Sequence, residues 1–156
     1  MIKLFKRIEG SLHYHEAWVS DGMVIEHWGR VGDRGAQREH RHVHGRAESA
    51  VCQDILREAR NSGFAPIDES ELATVLIEYV VDGMGTSQHL DKRHALQEYI
   101  DEILGWTGLG HCDGGSIGSG TMEVCCLVVD VEVAMRTIEV ELKGTSFENY
   151  SRIFEE

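Results

Sequence analysis

The chain is poor in proline, long apolar runs and closely spaced cysteine pairs. Pro66 is its only proline in 156 residues. The longest apolar stretch, VCCLVVDVEVAM from Val124, is interrupted by acids and falls well short of the ~18–20 residues a membrane helix needs. No membrane partner is therefore expected. The segment MIKLFKRIEG has Lys3, Lys6 and Arg7 scattered through it, with no separate apolar block. It reads as a first strand and not as a signal peptide, so a cytoplasmic protein is the expectation. None of the four cysteines, Cys52, Cys112, Cys125 and Cys126, forms a CxxC pair. Zinc ribbons and thioredoxin-like redox motifs are thereby excluded. Cys125 and Cys126 are adjacent in a strand-like run and would point to opposite faces. Reduced, mostly buried thiols are expected.

What is present supports a packed protein of two small parts. The 42% hydrophobic content is above that of a disordered chain of this charge. Residues 1–66 carry ten Lys/Arg and nine Asp/Glu, a net of +1; residues 67–156 carry five and eighteen, a net of −13. The change falls at NSGFAPIDESEL, a turn-rich segment, and marks a domain boundary. Two domains are expected, at 1–67 and 70–156.

The first half reads as strands followed by one helix. Ile2–Ile8 and Leu12–Ser20 alternate, and Asp21-Gly22 is a two-residue hairpin signal before Met23–Val31. A fourth strand is expected over Gln37–His44. Ala47, Val51, Ile55 and Ala59 then recur at helical spacing, ending at Gly63 with its left-handed cap. In the second half, Ala73–Val81 is a strand and Gln88–Leu104 a helix capped at Ser87. Thr121–Val129 is a strand, Val131–Leu142 a helix and Tyr150–Phe154 a closing strand. If the glycine run Gly105–Gly120 holds a short strand near Leu109–Asp113, the order is β-α-β-β-α-β. That is the split βαβ, ferredoxin-like arrangement. The fold class is α+β.

Several residue groups invite a chemical role. His40, His42 and His44 alternate and would share one face if the strand ran through them. Imidazoles spaced along one strand converge poorly on a tetrahedral ion, so they read as surface and no metal is expected. DGGSIGSGT, Asp113–Thr121, lacks the lysine of a P-loop and the spacing of a dinucleotide fingerprint. His111, Cys112 and Asp113 are consecutive, and their side chains diverge too far for a nucleophile, base and orienter. Asp91, Glu98, Asp101 and Glu102 read as the solvated side of a helix. No catalytic residue and no cofactor are expected.

The run Trp28-Gly29-Arg30-Val31-Gly32-Asp33-Arg34-Gly35-Ala36-Gln37 resembles the signature of the WGR domain. That module occurs in poly(ADP-ribose) polymerases and in bacterial proteins. The strand Tyr14–Trp18, the Asp21-Gly22 hairpin and the helix Ala47–Arg60 ending in Gly63-Phe64-Ala65-Pro66 extend the resemblance over about residues 1–67. It implies an antiparallel sheet with one helix, binding to nucleic acid or protein, and no catalysis. In the polymerases the motif tryptophan packs on a DNA terminus and the arginine bridges to DNA and neighbouring domains; the matching positions are Trp28 and Arg30. The run Gly105–Gly120 resembles bacterial domains of unknown function and implies no activity.

Strand alternation puts Glu26, Trp28 and Arg30 on one face, where an indole beside a guanidinium can stack on a base and contact phosphate. Arg34, Arg38 and Arg41 would extend a basic strip. The bland account makes Trp28 a core residue that Arg30 covers by a cation–π contact. The −13 half repels a polyanion, so DNA-end binding is expected to be weak. The expectation is a non-enzymatic adaptor. The alternative is a protein-interaction, regulatory or immunity-type protein whose acidic half docks a basic partner. Self-association through a sheet, giving a homo-oligomer, is also open.

Overall fold

The computed structural model describes residues 1–42 and 44–156. The chain divides into two compact units, Met1–Glu69 and Ser70–Glu156. Each is built on a four-stranded antiparallel sheet. Among the described residues no helix is long and apolar enough to cross a membrane.

In the first unit, β1 (Ile2–Ile8), β2 (Ser11–Ser20), β3 (Met23–Arg30) and β4 (Ala36–Arg41) follow one another across the sheet in chain order. Asp21 and Gly22 both have positive φ, 51° and 74°, as the tightest two-residue hairpin requires. That turn fixes the β2–β3 register, setting Glu16 opposite His27 and Ala17 opposite Glu26. Leu4, Ala17 and Val24 pack against Val51, Cys52, Leu56 and Ala59 from the helical segment, with Phe64 at the margin.

The single expected helix is two: α1 (Glu48–Ile55) and α2 (Arg57–Asn61), separated at Leu56. The hydrogen-bond ladder continues through the junction, from Leu56 N–H to Cys52 O and from Arg60 N–H to Leu56 O, both 3.0 Å. The segment ends as its sequence suggested. Gly63, at φ 105°, donates to Arg60 O and Phe64 donates to Ala59 O, each 3.0 Å. These two bonds close a Schellman motif. Ala65 then exchanges two backbone hydrogen bonds with Phe5 (2.8 and 3.0 Å).

The second unit runs β5 (Ala73–Val80), α3 (Ser87–Trp106), β6 (Gly110–Gly118), β7 (Thr121–Val128), α4 (Val131–Leu142) and β8 (Arg152–Glu155). Its sheet order is β6-β7-β5-β8. Met122, Val124, Cys126 and Val128 on β7 and Val75, Ile77 and Tyr79 on β5 are buried, matched by Leu96, Ile100, Ile103 and Leu104 on α3 and Ala134, Ile138 and Leu142 on α4. Tyr99 Oη on α3 donates to Glu141 O on α4 (3.1 Å), and Tyr79 Oη donates to Phe147 O (2.6 Å).

Three local expectations need correction. Thr86, not Ser87, caps α3, accepting from His89 N–H (3.3 Å). The glycine run is not turn around a short strand but the nine-residue strand β6. Its Cys112 pairs with Cys126. β4 ends at Arg41, so His42 and His44 do not continue the strand of His40. The intervening Val43 lies outside the described residues.

Candidate functional site

The residues around the W-G-R tripeptide lie on two faces of the first sheet. On one face the β2–β3–β4 register forms cross-strand rows: His15, Trp28 and Ala36, then Ala17, Glu26 and Arg38. A third row crosses β1, β2 and β3 as Lys6, His13 and Arg30. Trp28 is half-buried. Ala36, directly opposite, is too short to cover an indole, and the diagonal Arg38 lies over the ring with its guanidinium carbon 5.5 Å from the centroid. The His15 ring flanks Trp28 from the other side at 5.7 Å.

The covering arginine is therefore Arg38 and not Arg30. Arg30 is exposed and turns to Asp33, with Nε 3.1 Å from Oδ2. Glu26, beside this group, has both carboxylate oxygens engaged: His15 Nε2 lies 2.8 Å from Oε1 and His40 Nε2 lies 2.7 Å from Oε2. Burial pushes the Glu26 carboxyl up, but the hydrogen bonds from His40 and His15 outweigh it and hold the group below the usual carboxylate range.

The opposite face explains the shape of the motif. His27 is buried and its Nδ1 hydrogen-bonds Glu16 Oε1 (2.7 Å), while Lys3 Nζ lies 3.2 Å from Glu16 Oε2. His27 Nε2 reaches the Arg34 carbonyl (2.5 Å), and Tyr14 Oη donates to the Asp33 carbonyl (2.8 Å). Together Tyr14 and His27 pin the turn after β3 back onto the strand. The close approach dictates two glycines. A Cβ on Gly29 would meet Gly35 Cα and Tyr14 Oη at 2.9 Å, and one on Gly35, whose φ is 66°, would collide with the Trp28 carbonyl. The middle residue of the tripeptide is thus fixed by backbone packing, which leaves Trp28 and Arg30 as its variable chemistry.

Of the five residues expected to bind nucleic acid, Trp28, Arg30 and Arg38 share one face. Arg34 is exposed in the turn that Tyr14 and His27 hold, and Arg41, at the end of β4, is on the reverse face. The arginines do not form one continuous strip. Sequence reasoning missed the Glu16–His27 and Glu26 clusters, although the Asp21-Gly22 turn carried the signal. Once that turn is granted, Glu16 must face His27.

In the second unit, the glycine-rich residues form an edge strand. Asp101, read as solvated, accepts the Cys112 amide (2.8 Å) and so ties α3 to that edge. Glu78 on β5 is gripped by Arg152, whose Nε and Nη2 donate to its two oxygens at 3.0 and 2.9 Å. Comparison with protein-family models, curated proteins and solved structures found no match for this chain.

Proposed function

We propose that the chain is a non-enzymatic adaptor whose first unit is a WGR-like module that takes a DNA end against Trp28. The observation that carries this reading is the half-buried indole with Arg38 over it and exposed Arg30 on the same face. An aromatic platform with guanidinium groups at its margin suits an unstacked terminal base and its flanking phosphate. The Schellman-capped helical segment and the strand order of the first sheet also support the WGR-like reading. Arg30, Arg34 and Arg38 are exposed and would neutralise about two or three phosphates, so the salt slope is only about −2 to −3. The acidic remainder opposes wider coverage of a duplex.

The test is a titration of the full chain, at low salt, with a nicked or 5′-phosphorylated duplex and with a closed dumbbell of the same length. Preference for the ended duplex is expected. Trp28→Ala lowers that affinity by about 1–3 kcal/mol while circular dichroism stays unchanged. Equal binding to both ligands removes the proposal.

The charge of residues 67–156, eighteen acids against five bases, favours a second reading. In it the second unit, ferredoxin-like in its βαββαβ order, docks a basic protein. The order β6-β7-β5-β8 with a helix in each crossover supports the ferredoxin-like assignment. A stoichiometric complex with a basic protein that persists in Trp28→Ala and dissolves in salt selects this reading.

A further inference from the structure

We propose that Cys112 and Cys126 are a redox-active pair, which a hydroperoxide converts into a cross-strand disulfide and a dithiol reductant reopens. All four cysteines are free thiols in this structure. Cys112 and Cys126 face each other in the β6–β7 register, with their Sγ atoms 3.7 Å apart. The Cys112 amide donates to Asp101 Oδ1 on α3 (2.8 Å) and so points away from β7. The two cysteines therefore form a non-hydrogen-bonded pair, the kind in which Cα atoms approach to about 4.5 Å. That separation lies within the range a disulfide spans, so closure needs rotation about the Cα–Cβ bonds and little backbone movement.

The surroundings assign the two sulfurs different parts. Cys112 is half-exposed on an edge strand, and Cys126 is fully buried. Cys112 is the sulfur an oxidant reaches. The hydrogen bond with Cys112, and then burial, push the Cys126 thiol up. Asp101 accepts the Cys112 amide, and its charge disfavours an anionic oxidant such as glutathione disulfide. A neutral hydroperoxide meets no such barrier.

In the first step the Cys112 thiolate attacks one peroxide oxygen. The O–O bond breaks, Cys112 becomes a sulfenic acid, and the departing alkoxide or hydroxide takes a proton. In the second step Cys126 sulfur attacks Cys112 sulfur, the S–O bond breaks, and the hydroxide leaves as water with the thiol proton. Overall, two thiols and one hydroperoxide give one disulfide, one alcohol (water, from hydrogen peroxide) and one water. Neither remaining thiol competes. Cys125 adjoins Cys126 but is on the other face of β7, and Cys52 is buried in the first unit's core. The crosslink falls where the register shifts between Cys112 and Gly115. It would therefore fix the bulged edge at Asp113 and Gly114 against β7.

The full chain, treated with dilute hydrogen peroxide, is expected to lose two of its four titratable thiols and two hydrogens in mass. The product should contain one peptide pair joined through Cys112 and Cys126 and should revert with dithiothreitol. Cys112→Ser, at the half-exposed position, should abolish the crosslink without unfolding, and Cys125→Ser should leave it intact. Four thiols still titratable under conditions that oxidise free cysteine would overturn the proposal. So would Cys112 accumulating as sulfinic acid with no crosslink, or a crosslink through Cys125.

Discussion

Arg38 reaches Trp28 diagonally across β3 and β4, past the small side chain of Ala36, and its guanidinium carbon stands 5.5 Å from the indole centroid. One consequence separates two arginines that sequence alone treats alike. Arg38 borders the indole and Arg41 is on the reverse face. Arg38→Ala is expected to weaken binding to a duplex end by about 1 kcal/mol, the scale of an exposed cation–π or stacking contact, while Arg41→Ala leaves it unchanged. Fluorescence anisotropy on the two variants measures this. Equal losses would place the ligand somewhere other than Trp28.

Glu26 sets an acid limit on the first sheet. Its carboxyl is held low by His40 and His15 against the upward push of burial. A carboxyl depressed in the folded state contributes stability above its unfolded value, about 4.3. That contribution is lost as pH falls through the lower folded value. Urea unfolding between pH 2 and pH 7 (roughly the window in which carboxyls titrate) should show a shallower acid decline in Glu26→Gln than in the wild type. Identical slopes would mean that the two histidines do not hold the carboxylate in solution.

Tyr14 sets the corresponding limit at high pH. Burial, and then the charges of Glu16 and Asp33, push its phenol upward; burial, and then Tyr150, do the same for Tyr79. A phenol raised in the folded state contributes stability that is fully present below its unfolded value of about 10. This is lost progressively as pH climbs above that value towards the folded one. Phenolate absorbance of the native protein near pH 10 should fall short of the amplitude four tyrosines give. Tyr14→Phe removes the donor to the Asp33 carbonyl and should cost about 1–3 kcal/mol in urea unfolding. A neutral effect would mean that the hydroxyl does not secure the turn.

Leu56 and Ile55 provide a test of packing. Ile55 falls in the apolar repeat read from sequence, yet Leu56 is the residue with no exposed surface, and Ile55 is only partly buried. Leu56→Ala should cost about 2–5 kcal/mol and Ile55→Ala clearly less, by chemical denaturation. The reverse order would mean that the helical segment packs through another face.

The sequence and the structure agree where a local rule sufficed. The Asp21-Gly22 dipeptide forced a hairpin, Gly63 stopped a helix, and the stripe Ala134, Ile138 and Leu142 turned inward on α4. Agreement failed where distant partners decided the outcome. Glycine weakens a strand on its own, so Gly110–Gly118 looked like turn until β7 and α3 supplied its partners. The Trp28 face was legible as a period-two pattern, but a strand pattern does not state which diagonal neighbour reaches a ring. It therefore put Arg30 where Arg38 stands. The Asp21-Gly22 register sets Glu16 opposite His27, but a pairing pattern does not show that the turn after β3 folds back to meet His27.

The two strand orders also impose different folding schedules. Every pairing in the first sheet joins consecutive strands, so each short turn brings the next strand to its place and the sheet can zip from one end. In the second, β5 sits between β7 and β8 and waits for both. Loops spanning α3 and β6, or the whole remainder of the unit, must close before its central contacts form. Loop closure on that scale is slow relative to hairpin formation. Until then Val75, Ile77 and Tyr79 remain a bare β-branched and aromatic segment, the kind of unpaired strand that invites aggregation.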